Sequence, residues 1–341
     1  MRIHWLDNPP LFAWIENDSY EFTVNKEHAY LVVNKLKYLQ RHFDFFNSIP
    51  NGYTNYALSP NSVHKNVVLD ENKNIIGYTW SGVASGMDNT PRGNEFGGYN
   101  KIMWIDAITQ QALSALYLSR LNEQLNHKVE AKKWKIIYDQ IKKTINYRYW
   151  DEEDCFYYDI EISSGKPCKI KTMASYWVLL AEVASPKQAA RMVEILQDEK
   201  YFGVKYPFSS LSRDSKYFNK ESGDYWRGGI WLPMAYMGTK ALEKYGYYDL
   251  AHTLSTNTVY QQLRTYYNYT PNTIWEAYSP NKDEPTTEYS KIARLEFCGW
   301  SALGPISLTI ENILGFRTIN SNKISFIGTL KRKTKRMISK D

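Results

Sequence analysis

Apolar residues along most of the chain recur every three to four positions, the spacing of one face of an α-helix. The pattern predicts helices at 9–23, 27–47, 102–126, 128–149, 172–183, 186–198, 228–245, 247–268 and 299–314. Several carry explicit start and stop signals. Pro9-Pro10 opens the first, a turn at Asn126 precedes Lys128, Ser185-Pro186 supplies a cap and a first position, and Gly246 separates two helices. The helices come in pairs joined by short turns, the pattern of helical hairpins. Hairpins set side by side close into an all-α toroid with loops gathered at one end, or stack into a plain helical solenoid. Between the pairs lie 48–101, 150–171, 199–227 and 269–298. Loops of that length in a compact domain usually carry function, and these hold clusters of Trp, Gly, Asp and Arg.

Composition narrows the classes. The chain has 341 residues, enough for a large core, with 43% hydrophobic and 23% charged residues, as in soluble globular proteins. Its 28 Tyr and 11 Trp suit cores and sugar-stacking clefts alike. The net charge of +6 is concentrated in the end, "GTLKRKTKRMISKD", which alone carries +5. That end reads as a solvated tail, and no nucleic-acid-binding module accompanies it. Three scattered cysteines, Cys155, Cys168 and Cys298, make neither a disulfide framework nor a zinc site, although Cys155 and Cys168 have the spacing to pair across a hairpin. The six histidines form no ligand cluster, so no metal or cofactor is expected. The acidic run at 151–154 reads as a calcium ligand or a solvated helix end. No stretch is long enough for a membrane span. The start lacks a continuous apolar signal-peptide core, which leaves localisation open: cytoplasmic, or periplasmic or secreted if a segment precedes it.

Four loop stretches carry the chemistry: "SGMDNTPRG" (85–93), "ESGDYWRGGIW" (221–231), "NTIWEAYSP" (272–280) and "FCGWSALGP" (297–305). In the first, Asp88 lies on a turn between glycines and a proline. In the second, Tyr225, Trp226, Arg227 and Trp231 surround two glycines, and Arg227 offers a fork of donors for hydroxyls or a carboxylate. In the third, Glu276 sits between Trp275 and Tyr278, an environment that raises a carboxyl pKa. Taken singly, an Asp-Asn turn often only turns, and a Glu beside aromatics is often a structural acceptor. Two carboxylates on separate loops of an aromatic cleft are, however, what glycoside hydrolysis requires.

In this order, the four stretches resemble those of the inverting (α/α)6-barrel glycosidases, specifically glycoside hydrolase family 63 and its trehalase relatives, from about Pro9 to Phe316. The resemblance implies that Asp88 is the general acid and Glu276 the general base. It implies a sugar subsite formed by Asn89, Arg92, Tyr225, Trp226, Arg227, Trp231, Trp275, Tyr278 and Trp300. Asp106, in "MWIDAITQQAL", falls on a position that faces the cleft, or else is a polar residue on a helix face. The implied substrate is an oligosaccharide or disaccharide with an α-linked glucose or a related sugar. Inversion implies carboxyl groups roughly 6.5–9.5 Å apart, leaving room for a water.

The family barrel has twelve helices, and the nine predicted here match its pattern from the fourth helix onward. The expectation is therefore a toroid incomplete at its N-terminal side, with an apolar side that a second chain would cover. The domain would span 1–316, followed by a strand-like segment and a basic tail at 317–341. The alternatives to an active enzyme are a sugar-binding remnant and a helical-repeat interaction protein, the last of which predicts no convergence of Asp88, Arg227 and Glu276.

Overall fold

The computed structural model describes residues 9–47, 66–289, 291–320 and 323–326. The basic tail and part of the first long loop lie outside them. The helices are α1 (Phe12–Thr23), α2 (Lys26–Tyr30), α3 (Tyr38–Asn47), α4 (Gly82–Ser85), α5 (Ile105–Gln124), α6 (Lys128–Arg148), α7 (Trp177–Leu180), α8 (Pro186–Gln197), α9 (Leu232–Lys244) and α10 (Tyr248–Asn268), with a π-helix at Gly304–Ile313. Helix α5 is almost wholly buried, while α6, packed along it, buries only one stripe that includes Ala131, Trp134, Tyr138 and Ile145. Helices α1, α5, α7 and α9 pack side by side, and α10 lies against α9 and the π-helix.

The helices with strong caps match their predicted bounds closely. At α8, Ser185 Oγ accepts the Gln188 N–H while Gln188 Oε1 accepts the Ser185 N–H, and Pro186 occupies a first-turn position where its missing N–H costs nothing. Other expectations are corrected. The helix predicted over 27–47 is broken: α2 runs into a π-turn at Leu31–Lys35, the Leu36 N–H reaches back to the Leu31 carbonyl, and Lys37 takes φ 52° before α3. The span 172–183 holds only a 3-10 turn (Met173–Tyr176) and the short α7. The N-terminal ends of two predicted helices are not helical either: Ile102–Met103 forms β3, and α9 starts at Leu232.

The long loops contain small antiparallel elements. Strands β1 (Asn66–Leu69) and β2 (Ile75–Thr79) pair as a hairpin, and β4 (Trp150–Asp151) pairs with β5 (Phe156–Tyr157). Strand β3 pairs with β6 (Asp159–Glu161), which pairs with β7 (Pro167–Cys168). Strands β8 (Thr287–Glu288) and β9 (Lys291–Ile292) form another hairpin, as do β10 (Phe316–Asn320) and β11 (Lys323–Phe326). Within the acidic run, Asp151 and Asp154 each bind Lys169 at 2.9 Å. Cys155, Cys168 and Cys298 are free thiols.

Much of the tyrosine content is core. Tyr149, Tyr157 and Tyr158 are fully buried, yet each hydroxyl finds an acceptor: the Ile76 carbonyl at 2.8 Å, Asn146 Oδ1 at 2.6 Å and Asp154 Oδ2 at 2.9 Å. Burying a ring of this size contributes about 2–3 kcal/mol only when its polar end is not left unpaired.

Candidate active site

Asp88 is presented by a short, over-determined turn. Ser81 Oγ accepts the Ala84 N–H at 3.0 Å and starts α4. Gly86, at φ 78°, ends that helix, and the Met87 N–H returns to the Gly82 carbonyl at 2.9 Å. A Cβ on Gly82 would collide with the Asp88 carbonyl oxygen, so only glycine allows the turn to close. On the role proposed for Asp88 below, Gly82→Ala should displace it and lower kcat/KM at least tenfold while the far-ultraviolet circular dichroism stays helical. An unchanged kcat/KM would show that the placement of this turn does not matter.

The next residue joins this turn to the aromatic stretch. Asn89 Oδ1 accepts the Trp226 N–H at 2.8 Å, and its Nδ2 donates to the Asp224 carbonyl at 3.0 Å. The segment it grips is strained, with Asp224 at φ 30° and Tyr225 at φ 66°. Such conformations cost about 1–3 kcal/mol each and persist only where the surroundings enforce them. Beyond them, Trp226 and Trp231 stack at 4.2 Å with 5° between planes, and Tyr225 meets Trp231 edge-on at 4.6 Å. Trp231 Nε1–H donates to the Tyr225 carbonyl at 3.2 Å, and Trp300 completes the wall 6.1 Å from Trp231.

Glu276 reaches the same wall from another direction. An irregular antiparallel ladder aligns Ser209, Ile230, Tyr278 and Pro285, setting the aromatic stretch beside the Glu276 stretch and the β8–β9 hairpin. The Glu276 N–H donates to the Arg294 carbonyl at 2.9 Å, and its own carbonyl accepts from Trp300 Nε1 at 3.2 Å and Ser301 Oγ at 3.1 Å. The backbone is thus fixed while Oε2 of the side chain is buried with no hydrogen-bond partner among the described residues.

The two carboxyl groups differ in setting. Asp88 opens to solvent on one side, while the protein packed around it and the Glu288 carboxylate push its pKa up to about 6. Glu276 is 2% exposed; burial raises its pKa, Arg294 opposes that, and the charges of Glu288 and Asp88 add to it. The Tyr225 hydroxyl is held above its usual range by burial and then by Glu276, Glu288 and Asp88. The three carboxylates therefore share one electrostatic environment beside Tyr225. Arg227 is half-buried with Nε unpartnered among the described residues, and its charge is felt at Tyr99, as is that of Asp88.

Four residues expected to line the sugar subsite are placed otherwise. Arg92 is fully buried and saturated by Asp106 and Asp159, so neither it nor Asp106 has a group left for a ligand. Trp275 and Tyr278 are each 1% exposed. Tyr278 lies in the ladder, and its hydroxyl accepts the Trp275 N–H at 3.2 Å. Both support Glu276 from behind. Conversely, Glu288, Arg294 and Asp159 were not anticipated. The run "TTEYSKI" (286–292), with β-forming residues around Tyr-Ser, was a hairpin signal that would have located the first of them.

The helical fold is shared with family 63 glycoside hydrolases. A mannosylglycerate hydrolase of that family from Thermus thermophilus, solved with Tris and D-glycerate, superposes with a TM-score of 0.63 at 18% identity, over 87% of this chain and 76% of that one. The sequence profile of the mannosylglycerate hydrolase MGH1-like glycoside hydrolase domain matches residues 9–294, and the chain belongs to that family. An uncharacterized protein from Borreliella burgdorferi is 29% identical over 90% of this chain and 59% of its own length. A mannosyl-oligosaccharide glucosidase from Saccharomyces cerevisiae is 24% identical over 74% of this chain and 30% of its own. The chain thus spans less than two thirds of either relative. Among the described residues, no helix is long and apolar enough to cross a membrane.

Proposed function

We propose that this chain hydrolyses an α-linked glucoside or a related sugar with inversion at the anomeric carbon, on helices arranged as part of an (α/α)6 toroid. The observation that carries the reading is the pairing of two unlike carboxyl groups at one aromatic wall. Asp88, near pKa 6 and open to solvent, is suited to hold a proton and give it to the glycosidic oxygen as the carbon–oxygen bond breaks. Glu276, whose Oε2 has no partner among the described residues, is suited to hold a water and take its proton as the water oxygen attacks the opposite face of the sugar. The reaction leaves Asp88 ionised and Glu276 protonated, and exchange with solvent restores both. The exposed ring of Trp300, backed by the buried Trp226–Trp231 stack, offers an apolar face to a sugar, and Arg227, whose Nε has no partner among the described residues, offers donors.

The test is a panel of α-glucosides and α-mannosides, trehalose and mannosylglycerate included, with product anomers followed by NMR from the first minutes. The expected result is turnover of at least one glycoside to the anomer of opposite configuration. The retained anomer would overturn the roles assigned here. No turnover by a folded, monodisperse sample would favour a sugar-binding protein.

A further inference from the structure

Arg92 lies four residues beyond Asp88 and is 0% exposed. Its Nε and Nη2 donate to Asp159 at 2.7 and 2.6 Å, while Nη1 and Nη2 donate to Asp106 at 2.9 and 2.8 Å. Its plane lies over Trp104 at 4.2 Å. Asp159 also accepts the Ile105 N–H at 2.9 Å, which ties the group to the start of α5, where the helix dipole favours negative charge. The cluster holds one cation and two carboxylates, all buried. Such groups add little stability over an apolar replacement, because desolvation offsets the attraction, so their use is geometric. The geometry reaches the Asp88 turn from both sides. Arg92 Nη1 touches Met87 Sδ at 3.8 Å on the near side; on the far side Trp104, beneath the guanidinium, donates from Nε1 to the Tyr99 carbonyl at 3.1 Å, and the Tyr99 hydroxyl binds the Thr90 carbonyl at 2.7 Å.

We propose that Arg92, clamped between Asp106 and Asp159, is a positioning residue that fixes the turn carrying Asp88 and so sets where its carboxyl stands relative to Glu288 and Glu276. The proposal rests on Asp88 being the acid, but the clamp can be tested without turnover. The charged and titratable groups around Asp88 are Glu288 on the β8–β9 hairpin, Glu276 across the site, Tyr99 on its own loop and Tyr225 on the aromatic stretch, with Arg227 and Arg294 farther off. The charge of Arg92 is felt at Tyr99 together with that of Asp88, so Asp159→Asn changes charge as well as position, and Asp159→Glu, which keeps the charge, isolates position.

The experiment is a carbon-13 NMR titration of the Asp88 carboxyl in the full chain, assigned with Asp88→Asn, for the parent protein and Asp159→Asn. Asparagine keeps an acceptor for the Ile105 N–H but removes the charge that holds Nε and Nη2. The expected result is a fall of the Asp88 midpoint by about one unit as the loop relaxes into water. Alongside it, kcat should drop at least tenfold with KM within about twofold. Asp159→Glu keeps the charge but displaces the guanidinium and should lower the midpoint in the same direction; it stands in if the first variant does not fold. A variant that melts earlier while the Asp88 titration stays unchanged would reduce the clamp to scaffolding and overturn the proposal. If the parent protein turns over no glycoside, the functional reading fails, and the titration still decides the clamp.

Discussion

Asp88→Asn should cut kcat by about 10²–10⁴ on a glycoside whose leaving group is a sugar or alkyl alcohol, and far less on a nitrophenyl glycoside. The reason lies in what each step needs. An alkoxide leaves only if it is protonated as the bond breaks, the task proposed for Asp88; a nitrophenolate leaves unaided. Glu276→Gln should depress both substrates alike, because activation of water is required whatever leaves. The two variants thus separate acid from base by leaving-group dependence, and equal losses on both substrates in Asp88→Asn would refute the assignment.

The same proposed roles set the expected pH profile of the parent chain. As the proposed acid, Asp88 has to be protonated, so activity should fall as pH rises through about 6. As the proposed base, Glu276 has to be ionised, and its pKa is raised by burial, so the acid limb should lie above the ordinary glutamate range. The bell is therefore narrow and acidic. Removing Glu288 as Glu288→Gln would lower the Asp88 midpoint and move the basic limb down with it.

Arg92→Met should destabilise the fold by about 3–5 kcal/mol at pH 8, measured by urea unfolding, because it strands Asp106 and Asp159 without their cation. The deficit should shrink toward pH 5. Burial raises the Asp106 pKa against the opposing pull of Arg92; without that pull the folded variant holds a proton there at pH values where the unfolded chain has lost it, so stability is regained as pH falls and lost as it rises. An equal deficit at both pH values would mean that lost packing over Trp104, not stranded charge, dominates.

How far the sequence foretold this molecule differs by element. Helices α5, α6, α8 and α10 were legible because they are long, periodic and explicitly punctuated, as by the Ser185-Pro186 cap. The break before α3 was not, since the apolar spacing continues across Leu36 and Lys37 and only the tertiary fit of each half decides where the chain turns. Two-residue strands such as β3 and β8 carry no period at all. At the candidate site, Asp88, Glu276 and the Trp226–Trp231 pair were singled out by residue type and order, and what the structure adds is their setting. The roles of Trp275 and Tyr278 were misread, because in this irregular ladder both flanking rings pack inward beside Glu276. Nothing in the sequence joins Arg92 to Asp159, which lies 67 positions away on a strand pair too short to recognise.

The bond from Asn89 to Trp226 crosses 137 positions of chain, and that from Trp300 to Glu276 draws in a further segment near the far end. Closing such distant pairs costs chain entropy that nearby contacts must first offset, which places them late in folding. On the ribosome, the helical pairs can form one after another as they emerge, while the two carboxyl groups remain strangers until residue 300 or so has been made. A nascent chain therefore carries a growing scaffold long before it carries a site, and whatever hydrolytic capacity the molecule has waits on the segment around residue 300.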